Sequence, residues 1–198
     1  MAMHDIERRF STRRDGAWHS DEMQRPAAVS AFGLPPRALC AHRMLAAQPA
    51  PAAGAARFSL DSVIDTFQVL STWADAVMVE DAPSLLAGRS GAGARGFDGA
   101  DVARELKLPF LLVVPMGVGC VAAALSCVRS LEARGLQCAG WIANHLETGW
   151  VDEDGAASAL SRAMPGPCLG SIPRLCEDTP ARAARSIDVD RMMLALAP

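Results

Sequence analysis

At 198 residues, with 51% hydrophobic and 21% charged side chains, the chain is long enough for one globular domain with a full core. Its net charge of −3, without a basic stripe, excludes the electrostatic footprint of a nucleic-acid or membrane-surface binder. No apolar run approaches the roughly 20 residues of a membrane-spanning helix, so no membrane and no nucleic acid are expected as partners.

The start, MAMHDIERRF, lacks the apolar segment of a secretory signal. Six cysteines without CxxC spacing read as reduced structural thiols in a cytoplasmic protein. Residues 1–20 are polar and basic, with Arg8, Arg9, Arg13 and Arg14 clustered, and read as a poorly ordered segment before a single domain over 21–198. Asp21 to Ala31 suits a short helix, Gly33 to Pro36 breaks the chain, and Cys40 to Gln48 reads helical. Ser59-Leu-Asp-Ser opens a helix to about Trp73, with Leu60, Val63, Ile64, Phe67 and Leu70 on one face. Ala76 to Val79 is a short buried strand ending at Glu80-Asp81, and Gly88 to Gly99 a glycine-rich loop. Asp101 to Leu106 is a helix feeding the next strand.

The most organised stretch is Leu108 to Asn144. Leu108 to Val114 is a continuous apolar run, as in a strand buried on both faces. A turn over Pro115 to Gly119 leads into a helix from Cys120 to Ala133, closed by Arg134 and Gly135. Cys138 to Ala143 returns as a second strand, completing a βαβ unit of a parallel sheet. Ligands bind such sheets outside the carboxyl ends of the strands, which directs attention to Pro115–Cys120 and Asn144–Glu147. Asp154 to Met164 then reads as a helix, Pro167 to Pro173 as a strand and loop, and Asp188 to Ala197 as a last helix. Strands alternating with helices indicate an α/β fold. From the residues alone, Asn144 is either a turn former or a polar reader. The start at Gly119 is either an ordinary turn or an anion site, and Asp21 and Glu80 are either solvated acids or ligands.

Five separated blocks resemble the dethiobiotin synthetases. ADAVMVEDA is similar to their strand ending in Glu-Gly-Ala-Gly, and GADVARELKLPFLLVVPMGVGCVAAAL to their LP-hhhVV…LGC-hNHAhL segment. GLQCAGWIAN resembles GLxLAGWVAN, PGPCLGSIPRL resembles PAPxLGEIPWL, and HSDEMQR resembles NSDALAL. The resemblance implies a three-layer, mainly parallel sheet of the P-loop NTPase-like kind and a homodimer. It also implies closure of the dethiobiotin ureido ring from 7,8-diaminononanoate and CO₂ with ATP and Mg²⁺. Carried over by position, Asp21 and Glu80 would hold Mg²⁺, with Glu80 also at the nucleotide. Asn144 with the adjoining His145 would read adenine, and Ile172, Pro173 and Arg174 would line its pocket. The amides of Gly119, Cys120 and Val121 would hold the substrate carboxylate across the dimer.

The departures matter as much. The family opens on a strand and a GxxxxGK[ST] phosphate loop, and no such motif occurs in these residues; GRSGAGARG lacks the Lys and hydroxyl residue. The family's second essential lysine falls near His4, and its substrate-binding serine near Arg8. Glu-Gly-Ala-Gly has become Glu80-Asp81-Ala82-Pro83. The one lysine, Lys107, begins the Leu108 strand, and seven residues at about 3.3 Å each leave it roughly 20 Å from that strand's active end. The expectation is therefore a fold lacking the phosphate-loop strand, its gap closed by the flanking strands or filled by another such as Ile6–Phe10 or one from a partner, and a site without catalytic residues. Phosphate binding would be weakened or lost, and the chain impaired or inactive as it stands. The alternative is a non-catalytic paralogue serving a complete synthetase as a binding or regulatory subunit.

Overall fold

The computed structural model describes residues 2–7, 12–14, 17–19, 40–43, 60–80, 97–146, 149–150, 152–175 and 180–196. The chain divides into two units, Met1–Leu106 and Lys107–Pro198.

In the first unit, β1 (Ala2–Glu7) lies between β4 (Cys40–Arg43) and β5 (Met78–Glu80), parallel to both, while β2 (Thr12–Arg14) and β3 (Ala17–His19) form an antiparallel pair. Two expectations are corrected here. The polar start carries a strand rather than a frayed end, and Cys40–Arg43 is extended rather than helical. The ladder to β1 supplies what local propensity does not, since short strands depend on neighbours more than on their own sequence. The expected helix over 21–31 lies outside the described residues, as do most of the Gly88–Gly99 loop and residues 44–48.

Helix α1 (Leu60–Ser71) follows the predicted face: Val63 and Leu70 are buried, with Leu60 and Phe67 half-buried. They pack with Phe97 and Val102, the latter on α2 (Gly99–Glu105). That helix starts on a reciprocal cap. The Asp101 amide donates to Asp98 Oδ1 at 3.0 Å, and the Asp98 amide donates to Asp101 Oδ2 at 3.2 Å.

The second unit is built on β7 (Cys138–His145), whose first six residues are all buried. It lies between β6 (Phe110–Met116) and β8 (Cys168–Ile172), with all three parallel. Helix α3 (Cys120–Glu132) packs on β6 and on α4 (Glu153–Ala163). Helix α6 (Val189–Leu196) packs on β7 and β8, following the short α5 (Pro180–Ala184). Leu131, Trp141, Leu160 and Leu169 are the largest fully buried side chains. This is an α/β fold with an open parallel sheet flanked by helices, of the P-loop NTPase-like kind.

Strand β6 runs through Pro115 and Met116, two residues into the predicted turn. A proline is accommodated because β6 is an edge strand, pairing among the described residues with β7 alone. In the first unit β5 likewise pairs, among the described residues, with β1 alone.

The end of α3 is specified by hydrogen bonds. Gly135, at φ +84°, donates to Glu132 O at 2.8 Å, and Leu136 donates to Leu131 O at 3.1 Å, satisfying the last carbonyls. Strand β8 is closed on its far side by the 186–188 segment. The Ser171 amide donates to Ser186 O at 3.2 Å, and the Asp188 amide to Leu169 O at 2.7 Å. That approach needs Gly170, where a Cβ would lie 2.2 Å from Ser186 O and 2.9 Å from Ile187 Cα.

Gly170→Ala should therefore cost about 1–3 kcal/mol, since backbone rather than a movable side chain is in the way; urea unfolding measures it. A second expectation concerns pH. Burial pushes the Cys138 thiol up from its ordinary 9.0, with the Glu132 carboxylate adding to the rise, and burial does the same to Cys127. The folded chain holds these protons more tightly than the unfolded one. Their contribution is therefore fully present below the unfolded thiol value and lost as pH rises through the folded one. Urea midpoints should fall as pH climbs above about 9, less steeply in Cys138→Ala.

Candidate functional site

The parallel register brings the carboxyl ends of three strands level. Pro115 stands opposite Asn144, Met116 opposite His145, and Asn144 opposite Ile172. Along β7 the burial pattern changes at one place: Cys138 through Ala143 are covered, while Asn144 and His145 are half-exposed. A strand covered on both faces admits polar side chains only where it leaves the sheet. The edge is therefore where its chemistry must sit.

Beyond β6 the chain turns through Gly117–Gly119 into α3. Gly119 occupies the position before the helix at φ +80° and provides no side-chain cap. The Cys120 amide donates to Gly117 O at 3.1 Å and the Ala123 amide to Gly119 O at 3.1 Å. The turn itself is open: Gly119 is exposed and Val118 is 96% exposed. Beyond β8, Ile172 is half-buried and Pro173 and Arg174 are exposed, Arg174 following two residues after the partner of Asn144.

Two further side chains belong to this edge. His145 Nε2 lies 2.9 Å from Ser171 Oγ on β8, and its Nδ1 contacts the Glu153 carboxylate in the first turn of α4. Neither partner was found from sequence. Glu153 lies eight residues along the chain with no motif to mark it. Ser171 had a faint signal, because the resembling PAPxLGEIPWL pattern carries Glu where this chain has Ser.

The edge thus gathers Gly119, Cys120, Val121, Asn144, His145, Ile172, Pro173 and Arg174. It offers amides at a helix start, a carboxamide with paired donor and acceptor, and an exposed cation. Glu80 belongs to the first unit. It is exposed at the end of β5, and the backbone of His4 on β1 stands opposite it in register. Asp21 lies outside the described residues. Among those described, no group of three or more His, Cys, Asp or Glu residues could hold a metal ion, and no helix is long and apolar enough to cross a membrane.

No family model matches the chain. Over 121 residues it is 41% identical to an ATP-dependent dethiobiotin synthetase of Aromatoleum aromaticum, covering 61% of this chain and 52% of that protein. Over 183 residues it is 31% identical to an ATP-dependent dethiobiotin synthetase of Janthinobacterium sp. (strain Marseille), covering 90% of this chain and 75% of that protein. The chain thus spans about half the length of the first relative and three quarters of the second.

Proposed function

Because the chain belongs to the dethiobiotin synthetase family, we propose that it serves biotin biosynthesis with a sheet edge that holds the ends of the reactants, and that residues 1–198 alone turn over poorly or not at all. The observation that carries this reading is the β6–β7–β8 register. It puts Asn144 opposite Ile172 on the same edge as the start of α3.

Asn144 is the adenine reader in this proposal, with Ile172, Pro173 and Arg174 along the base. A carboxamide matches an edge that presents one donor and one acceptor. The start of α3 at Gly119, Cys120 and Val121 receives the carboxylate of 7,8-diaminononanoate, whose negative charge the helix start favours even though the Cys120 amide already donates to Gly117 O. In a homodimer, or a heterodimer with a complete synthetase, that carboxylate comes from the partner's side of the site. Asp21 and Glu80 are the Mg²⁺ ligands, since this ion takes one or two carboxylates and fills its remaining positions with phosphate oxygens and water.

The donor set fits the two ends of ATP chemistry unequally. The adenine end has its carboxamide. The phosphate end has no GxxxxGK[ST], and the chain's one lysine, Lys107, lies before the start of β6 while the ligand edge is at its end. The backbone position opposite Glu80, where the resemblance puts a second lysine, is His4. When bound, ATP with Mg²⁺ supplies the phosphoryl group that activates the carbamate formed from the diamine and CO₂. This chain's part is to hold and orient.

A second reading is a non-catalytic subunit for a complete synthetase. It is favoured by the presence of the α3 start in residues 1–198, which carry no GxxxxGK[ST] motif.

With ATP, Mg²⁺, bicarbonate and 7,8-diaminononanoate, the purified chain should form dethiobiotin at least about 10³-fold more slowly than a complete synthetase, given what one lost charge-stabilising group costs. Comparable turnover would defeat the impaired reading. Specific co-purification with a complete synthetase would favour the subunit reading over a self-contained one. In calorimetry, Asn144→Ala should weaken ATP binding about tenfold, the scale of one lost hydrogen-bonded contact, with an unchanged melting temperature.

A further inference from the structure

We infer that His145 is a positioning residue rather than a nucleotide contact: its imidazole is a strut joining the ends of β7 and β8 to the start of α4. The part of this inference that concerns adenine rests on the reading of Asn144 above. The strut itself does not.

Both ring nitrogens face groups of the protein. Nε2 lies 2.9 Å from Ser171 Oγ, 26 residues away in sequence, and Nδ1 meets the Glu153 carboxylate. The side chain is 14% exposed and Nδ1 is buried, although its contact with Glu153 is not aligned as a hydrogen bond. A bare Nδ1 would set a lone pair against carboxylate oxygens, two acceptors in contact. In the strut, Nδ1 carries the ring proton and Nε2 accepts from the Ser171 hydroxyl. A ligand seeking a polar atom on this ring would have to break one of these contacts.

Strand alternation separates the strut from the reader. Asn144 and Ile172 are register partners on one face, whereas His145 and Ser171 belong to the other. The strut braces the edge from behind. It fixes the β7 end one residue after Asn144 and the β8 end one residue before Ile172. Positioning groups of this kind set the precision of a site without touching what it binds.

A carboxylate, an imidazole and a serine in series also resemble an activated nucleophile. Such a serine needs amide donors for the oxyanion it creates. The Ser171 amide is instead spent on Ser186 O at 3.2 Å, so the series is read as structural.

The test begins with the ligand-free full chain labelled with ¹⁵N, its His145 ring signals assigned by their loss in His145→Gln. Long-range ¹H–¹⁵N correlation should show a protonated Nδ1. A bare Nδ1, or labelling of Ser171 by a fluorophosphonate, would overturn the strut. ATP titrations follow. His145→Ala, Ser171→Ala and Glu153→Gln should each weaken binding about tenfold, and the His145→Ala/Ser171→Ala double variant no further than either single one. Additive losses, or a loss in His145→Ala alone, would make His145 a direct contact. If the unaltered chain binds no ATP, the nucleotide reading fails, and the ring spectrum still decides the strut.

Discussion

Covering β7 on both faces is the constraint from which the rest of the second unit follows. Six consecutive buried positions require apolar or small side chains, and Cys138 to Ala143 supply them. Helices must then lie along the sheet, which α3 and α6 do. The first place where β7 can carry a carboxamide or an imidazole is its end. The site is thus located by the core: Asn144 and His145 stand where burial stops. The register with β6 and β8 decides which other chain ends accompany them.

Much of this was legible because βαβ units write themselves locally. An apolar run, a helical period and a Gly at the helix end are short-range signals, and β6, α3 and β7 lie close to where those signals put them. Their limits are also local. The predicted turn at Pro115 assumed that proline ends a strand, yet on an edge strand it need not. Strand β4, and the part of β1 ahead of Ile6, escaped because their stability comes from parallel partners dozens of residues away, and period alone does not encode a partner. Ser171 and Glu153 escaped for the same reason. Their importance is a relation to His145 across 26 and eight residues, and no window of sequence contains it.

The resemblance proposes roles that geometry alone leaves open, and the geometry says which of those residues share an edge and a face. Asn144, Ile172 and the α3 start meet at one sheet edge, as separate blocks of sequence could not demonstrate. His145, grouped with Asn144 by adjacency, belongs by alternation to the other face. Adjacency along a strand means opposition across it. A motif read as a string joins residues that a sheet keeps apart.

Lys107 has a practical side. It is the one lysine in the sequence, it is exposed, and it precedes β6 at the end away from the ligand edge. Apart from the α-amino group, amine-directed chemistry has a single address on this chain. A dye, crosslinker or surface attached there would stand off from the edge that carries Asn144. Within residues 1–198, a single lysine is therefore a built-in, oriented handle.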